Sequence, residues 1–555
     1  MKKHTIIASL SFLLFSIGFS GNVLSQISYG GVPPTTRFSI ENDDFPVFET
    51  PVPDVERLLA EDAETGKYGI PMRFAECRPV EINLAKEGNW LNMPDGGKIC
   101  RLAVSSENAQ AILLYYDKFL IPEGGGLFLY NTNKWQVIGA FNHKTNNDGG
   151  VFATEMIYGE QVILEYVQPY GLKEKPEIII GEVGYVYRTA ERIFGGRGFG
   201  SSGPCEVNVN CLEGNEWQDQ KNGSCKIIVK QSGSSSVLCS GTLVNNTRQD
   251  GTPYLITADH CGADATPDDL DAWIFYFRYE GPDCEDPSSD TLFDSYTIVG
   301  ASKVAAAGGA GVASDFKLIK LNVNVPENYN PYFVGWSNIG DASPEGVTIH
   351  QPQGDIRKIS TYTSTLTSTN WGSIGGTHWK VVWSETENGH GVTEPGSSGC
   401  PIFNIDGRMV GQLTGGDASC SNLTGPDYYG KFSYSWDKIG NADSTRLKPW
   451  LDPDNTGLDE IDGISIVGIN EQKKENPLAV FPNPTTGLVN IDVRAFQGQL
   501  LKVEVFNVLG ERVYLSEGSI PSSGLVSFDL SKAKTGVYIV KLLVDGEVFS
   551  ARVLR

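Results

Sequence analysis

Positive charge is scarce in this chain: 44 Lys and Arg against 67 Asp and Glu leave a net charge of −23 over 555 residues. Such a balance repels phosphate backbones and anionic lipid, which excludes nucleic acid as a partner. Long apolar stretches are equally scarce. One run, Ile6 to Phe19, follows the basic start Met1-Lys2-Lys3-His4 and gives way to Val23-Leu24-Ser25 ahead of Gln26. It is short and polar sequence follows at once, so residues 1–25 read as an export signal rather than a membrane anchor. The chain has only 6 histidines and 5 methionines, no Cys-x-x-Cys pair and no His-Glu-x-x-His. Gly308-Gly309-Ala310-Gly311 lacks the Lys and Ser/Thr of a phosphate loop. No metal and no cofactor are expected. His378 and His390 have no partner at metal-ligand spacing and read as loop residues. The acids around Asp268 and Asp283 read as solvated faces rather than calcium sites.

What is present points to a mostly β chain. Its 63 Gly, with many Val, Thr, Tyr and Phe, suit short strands joined by turns, and 40% hydrophobic residues are enough for packed cores. The length implies roughly three to four domains. In an exported chain the ten cysteines read as disulfide staples. They also divide the sequence: Cys77 and Cys100 stand apart, eight more lie between Cys205 and Cys420, and residues 421–555 have none. Residues 26–199 form a β-rich N-terminal region without a catalytic cluster. Its end, Phe194-Gly195-Gly196-Arg197-Gly198-Phe199-Gly200, is a flexible break that reads as a processing site. The cysteine-rich middle covers 200–462, a linker 463–476, and a strand-like block 477–555.

The chemistry sits in the middle. Leu255-Ile256-Thr257-Ala258-Asp259-His260-Cys261, then Ala313-Ser314-Asp315-Phe316, then Gly396-Ser397-Ser398-Gly399-Cys400 supply a histidine, an acid and a serine in that order. A serine hydroxyl becomes a nucleophile only when an imidazole takes its proton, and that imidazole needs a carboxylate to fix its tautomer and stabilise its charge. Glycines around Ser398 allow the N–H groups of Gly396 and Ser398 to converge on a developing oxyanion. The expected chemistry is acyl transfer through an acyl-enzyme on Ser398.

These segments resemble the chymotrypsin-like double β-barrel proteases, and more closely the bacterial lysyl endopeptidase family. The resemblance extends over Gly241-Thr242-Leu243-Val244-Asn245-Asn246-Thr247, Gly391-Val392-Thr393-Glu394-Pro395-Gly396, Gly411-Gln412-Leu413, Asp427-Tyr428-Tyr429-Gly430 and Arg446-Leu447-Lys448-Pro449-Trp450-Leu451. It implies His260 as general base, Asp315 as its orienting acid and Ser398 as nucleophile. Trypsin-type pockets carry their acid six residues before the nucleophile, where this chain has Val392. The lysyl endopeptidase pattern places the specificity acid after the serine, at Asp427, with Asp417 as the rival position. It also implies a substrate-binding Trp371, although the histidine that such a tryptophan stacks on is replaced by Thr414. Lys at P1 is the expected preference, for a pocket fitting a compact ammonium rather than a guanidinium fork.

Two further departures matter. The last Lys before Cys205 is Lys175, and the break offers Arg188, Arg192 and Arg197 instead, so maturation falls to another protease or to a pocket that accepts Arg. Ser397 stands where the wider chymotrypsin pattern has an Asp, so latency is expected from the N-terminal region covering the site. Eight cysteines alone allow about a hundred connectivities. The resemblance implies Cys205 with Cys420, Cys211 with Cys284 and Cys239 with Cys261, leaving Cys225 with Cys400; Cys77 with Cys100 is expected in the N-terminal region.

The last block, from Val480-Phe481-Pro482-Asn483-Pro484 to Thr535-Gly536-Val537-Tyr538-Ile539-Val540, alternates as a small β-sandwich does. It resembles the C-terminal sorting domain of type IX secretion. The expected protein is therefore a secreted or cell-surface serine endopeptidase, exported through the periplasm and monomeric. Its partners are protein or peptide substrates and the type IX machinery. A catalytically silent adhesin on the same double barrel, and a protease with a different P1 preference, remain the alternatives.

Overall fold

The computed structural model describes residues 31–466 and 480–555, apart from 39, 41–43, 66–70, 148, 189–200, 288–295, 309–312, 484, 494–499, 508–510, 520–523 and 545–546. The export signal, Arg192, Arg197 and most of the expected linker lie outside the described residues. Strands dominate throughout, and among the described residues no helix is long and apolar enough to cross a membrane. Two compact units, Met1–Ile466 and Val467–Arg555, divide the chain.

Alternation of large apolar and polar residues puts one face of each strand into a core. In the middle region the first barrel is built from Ser224–Lys230, Ser235–Leu243, Tyr254–Ala258, Phe316–Leu321, Ala301–Ala306, Thr297–Val299 and Ile274–Phe277, neighbours in this order pairing antiparallel except Ala301–Ala306 and Thr297–Val299. Thr297–Val299 pairs with Ile274–Phe277 while Ala301–Ala306 pairs with Phe316–Leu321, so the chain through Gly300 closes the sheet on itself. Gly300 has φ +89°, a conformation that glycine reaches without steric cost. The second barrel follows the order of Lys358–Tyr362, Gly346–His350, Pro401–Asn404, Met409–Gly416, Asp427–Lys431, Ile374–Val381 and Thr367–Trp371. Pairing of Ile464–Ser465 with Tyr332–Phe333 carries this fold past residue 462, so the first residues of the expected linker belong to it.

The N-terminal region packs two sheets against each other. One holds Lys98–Ser105, Gln161–Gln168 and Gly126–Asn131; the other holds Met72–Asn83, Glu177–Val186 and Ala111–Leu120. The edge strand Met72–Asn83 then pairs antiparallel with Ser235–Leu243 of the first barrel, from Ser235 opposite Glu76 to Leu238 opposite Met72. An unpaired edge is thereby covered by the neighbouring sheet. Lys230 reaching Glu182 at 3.2 Å and Thr297 donating to Glu155 at 2.7 Å join the same two regions. Among the described residues, no hydrogen bond, ion pair or ring contact joins 31–188 to His260, Asp315, Ser398, Trp371 or Asp427; the contacts described fall on the first barrel's sheet instead.

Three disulfides form: Cys205–Cys420, Cys211–Cys284 and Cys239–Cys261, with Cα separations of 5.4, 4.3 and 6.3 Å. Cys225, Cys400, Cys77 and Cys100 are free thiols, which corrects the other two pairings. The reason is placement. Cys225 lies in the first barrel opposite Gly241 and Phe277, whereas Cys400 directly precedes the second-barrel strand Pro401–Asn404, beside Thr348 and Tyr429. Cys77 faces Ser236 on one sheet, while Cys100 on the other donates to the Leu84 carbonyl at 3.2 Å.

The C-terminal unit is a small sandwich of a three-stranded sheet containing Leu488–Asp492 and Leu525–Asp529 and a four-stranded sheet containing Leu500–Asn507 and Val537–Val544. Val489, Ile491, Val503, Val505, Val540 and Leu542 fill its interior.

Candidate active site

Strand register brings the first two site residues together. Tyr254–Ala258 and Phe316–Leu321 pair with Ala258 opposite Phe316, so the residues just beyond these partners, His260 after one and Asp315 before the other, meet at one barrel end. His260 lies in a short 3-10 turn, Asp259–Cys261, tied to the neighbouring strand by the Cys239–Cys261 bridge. The Asp315 carboxylate accepts from the His260 backbone N–H at 3.0 Å and faces His260 Nδ1 at 2.6 Å. Asp315 is wholly buried and holds φ +59°, a left-handed conformation that is uncommon outside glycine and more often adopted by Asp and Asn than by most residues. Burial lowers the affinity of His260 for a proton, yet the charge and hydrogen bond of Asp315 outweigh it and raise the imidazole pKa above its ordinary value. The Asp315 carboxylate holds Nδ1 as the protonated nitrogen, which turns Nε2 outward as the acceptor. Nε2 is buried and makes no hydrogen bond among the described residues, so a bond to Ser398 is not made in this state. Apo active sites often tighten such bonds only on binding substrate.

Neighbours that the sequence did not reveal fix this half. The Lys317 ammonium, almost fully buried, lies 3.3 Å from Asp259 and also donates to the Gly262 carbonyl, clamping the histidine turn from below. From the second barrel, Gln412 donates to the Ser314 carbonyl at 2.6 Å, and the Ser314 and Ser435 hydroxyls meet at 2.8 Å. Gln412 falls within Gly411-Gln412-Leu413, but its distance in sequence from Asp315 hides the contact.

Ser398 sits in a loop between Val392 and the strand Pro401–Asn404. Gly396 and Gly399 have φ +99° and +83°. A Cβ on Gly399 would lie 2.3 Å from Thr257 Oγ1 and 2.6 Å from the Ala258 nitrogen, so the loop presses directly on the histidine strand. Ser240 bridges the two barrels here: its N–H donates to the Ser398 carbonyl at 2.8 Å and its hydroxyl to the Gly396 carbonyl at 3.0 Å. The N–H groups of Gly396 and Ser398 have no acceptor among the described residues. They remain available to an incoming oxyanion.

Asp427, 1% exposed, lies at the start of Asp427–Lys431. Its Oδ2 accepts from Trp383 Nε1 and from Thr393 Oγ1, each at 2.7 Å, and its Oδ1 accepts from the Ala418 N–H at 3.2 Å. Burial pushes its pKa up to about 6 despite these donors. A Cβ on exposed Gly416 would stand 1.9 Å from Oδ1, so the missing side chain leaves Oδ1 approachable. Asp417, the rival acid, is exposed, and its backbone is held by Pro426 and Asn422. Trp371 packs at 5.0 Å from Tyr428 and 6.3 Å from His378. His378 is not in a loop: it lies buried in Ile374–Val381, bonded to Thr377 at 2.7 Å and to Thr414 at 3.0 Å. A histidine from a neighbouring strand thus occupies space beside Trp371, with Thr414 as its partner.

Comparison with known proteins shows what the two regions of the chain are similar to. Residues 199–430 match the family described as "Lysyl endopeptidase, C-terminal domain", and residues 479–554 match the secretion system C-terminal sorting domain. A lysyl endopeptidase from Pseudomonas aeruginosa is 24% identical over 418 residues, 70% of this chain and 84% of that protein. The middle region is thus similar to lysyl endopeptidases, and the chain is a serine endopeptidase. Its sorting domain marks it as exported, either secreted or held at the cell surface. Similar solved structures include the active form of the Rv3671c protease from M. tuberculosis, at 12% identity, TM-score 0.26, and coverage of 42% of this chain and 88% of that one. The thermostable serine protease AL20 from an extremophilic microorganism gives 14% identity, TM-score 0.27, and coverage of 38% and 92%.

Proposed function

We propose that this endopeptidase cleaves peptide bonds through Ser398, His260 and Asp315, with a preference for Lys at P1. The observation that carries the reading is the 2.6 Å contact of His260 Nδ1 with buried Asp315, on a barrel end that Ser240 ties to the Ser398 loop. Ser398 Oγ attacks the scissile carbonyl as His260 Nε2 takes its proton, and the carbonyl oxygen becomes an oxyanion facing the N–H groups of Gly396 and Ser398. The C–N bond then breaks, the leaving amine takes the proton from His260, and an acyl ester remains on Ser398. Water, deprotonated by the same imidazole, hydrolyses that ester and restores the hydroxyl.

Lys preference follows from Asp427, a buried carboxylate without a cationic partner among the described residues, whose Oδ1 lies behind a glycine. A substrate ammonium supplies the missing counter-charge. Residues 26–199 act as a propeptide removed after export through the periplasm, with the break at 194–200 as the cut, and the sorting domain is read by the type IX machinery. The test is a digest of a denatured protein mixture by the secreted enzyme, with every new terminus read by mass spectrometry. Cuts concentrated after Lys, lost in Ser398→Ala and dispersed in Asp427→Asn, support the reading. Cuts elsewhere by the wild type remove Asp427 from the pocket, and cutting unaltered by Ser398→Ala contradicts the nucleophile.

A further inference from the structure

One buried ring lies behind the nucleophile loop without a part in the chemistry above. The His350 side chain, at the end of the strand Gly346–His350, is fully buried. Its Nδ1 lies 2.7 Å from the hydroxyl of Ser397, the residue before the nucleophile, and its Nε2 lies 3.2 Å from the hydroxyl of Ser360. Ser360 donates its own proton to the Val392 carbonyl at 2.8 Å. The Ser360 oxygen therefore accepts from His350, which places the ring proton on Nε2 and leaves Nδ1 to accept from Ser397. Burial pushes the His350 pKa down to about 3, so the ring stays neutral and this direction of donation holds at working pH.

One imidazole thus holds both ends of the segment from Val392 to Ser397. That segment contains Gly396, whose N–H has no acceptor among the described residues, and Thr393, which donates to Asp427. Ser397 is further fixed by its N–H to the Glu394 carbonyl at 3.0 Å and by the Glu394 N–H to its hydroxyl at 3.3 Å. On the far side, the buried carboxylate of Glu206 faces His350 Nε2 at 3.7 Å and has no hydrogen-bond partner among the described residues. Burial raises its pKa above the ordinary carboxylate value.

We propose that His350 is a positioning residue for the nucleophile loop: through Ser397 directly and Val392 by way of Ser360, it holds Ser398 and the Gly396 N–H in the geometry that acyl transfer requires. The proposal rests on Ser398 being the nucleophile. A displacement of about 1 Å at a reacting group costs on the order of 100-fold in rate.

The test uses the secreted enzyme with a fluorophosphonate probe and a Lys ester. His350→Phe is expected to lower kcat about 100-fold with KM nearly unchanged, and to slow phosphonylation of Ser398 in parallel. His350→Gln, whose amide oxygen accepts from Ser397 and whose amide N–H reaches Ser360, restores both to within about tenfold. Ser397→Ala removes the same hydrogen bond without disturbing the ring and lowers kcat about tenfold. Folded His350→Phe reacting at the wild-type rate overturns the proposal, as does a loss that His350→Gln fails to rescue. If His350→Phe does not fold, Ser397→Ala decides, and wild-type kcat there overturns it. Failure of the wild type to label at Ser398 refutes the nucleophile assignment instead, a result distinct from these.

Discussion

The two halves of the active site are held by different physics. On the first barrel, His260 and Asp315 are joined by paired strands and charge: a buried carboxylate at 2.6 Å, and beneath it the Lys317–Asp259 pair. On the second barrel, Ser398 sits among glycines and neutral hydrogen bonds from Ser240, and Ser397 beside it is held by His350. A charged pair buried in low dielectric is costly to break from one side, whereas a neutral hydrogen bond contributes about 1 kcal/mol and acts mainly by fixing direction. The proposed base is therefore held by energy and the proposed nucleophile by geometry. Substitutions should separate the two.

The largest expected effect is on the charged half. Asp315→Asn leaves the shape nearly unchanged but presents the wrong tautomer of His260, and kcat should fall about 10⁴-fold, with a clear drop in the thermal unfolding temperature as the buried charge interaction is lost. On the geometric half, Gly399→Ala should cost about 3 kcal/mol of stability, because a left-handed backbone and the Thr257–Ala258 strand both reject the methyl group. Chemical denaturation measures it. Ser240→Ala removes the hydroxyl held by Gly396, and about a tenfold loss of kcat without loss of KM is expected from one hydrogen bond.

A smaller effect sharpens the comparison through pH. His260 must be neutral to act as base, and Asp315 raises its pKa, so kcat/KM for any substrate rises with pH through a value above the ordinary imidazole one. Asp427 must be ionised to attract Lys, and its pKa lies at about 6. The ratio of kcat/KM for Lys over an uncharged P1 residue should therefore fall as pH drops through about 6, while the His260 limb cancels in that ratio. A ratio that is flat across this range places the P1 residue away from Asp427. The smallest effect is expected at Cys225→Ser or Cys400→Ser, single thiols without a bridge, at roughly 1 kcal/mol each.

The sequence showed the charged half more clearly than the geometric one. His260 and Asp315 each adjoin an apolar strand, and a serine between glycines is a local pattern, so all three residues could be singled out and their roles proposed. Their supports could not. Gln412 reaches Ser314, Ser240 reaches Gly396, and His350 reaches Ser397 only once the barrels are folded, across separations that leave no periodic or local trace. His378 read as a loop residue because a single buried histidine has no motif, yet a strand carries it beside Trp371. The pairing of Cys225 with Cys400 came from matching leftovers and failed because the two lie in different barrels. The sandwich nature of the last unit was legible from alternation, while continuation of the N-terminal sheet into the first barrel was not, since register between distant strands is set by tertiary packing.

The central claim is that Ser398 is the nucleophile and that Asp315 activates it through His260. The most direct test is the time course of fluorophosphonate labelling of the secreted enzyme, followed by peptide mapping, in the wild type and in Asp315→Asn. The account predicts one label, on Ser398, acquired far more slowly in Asp315→Asn. A label on another serine, no label, or equal rates in the two proteins would contradict it.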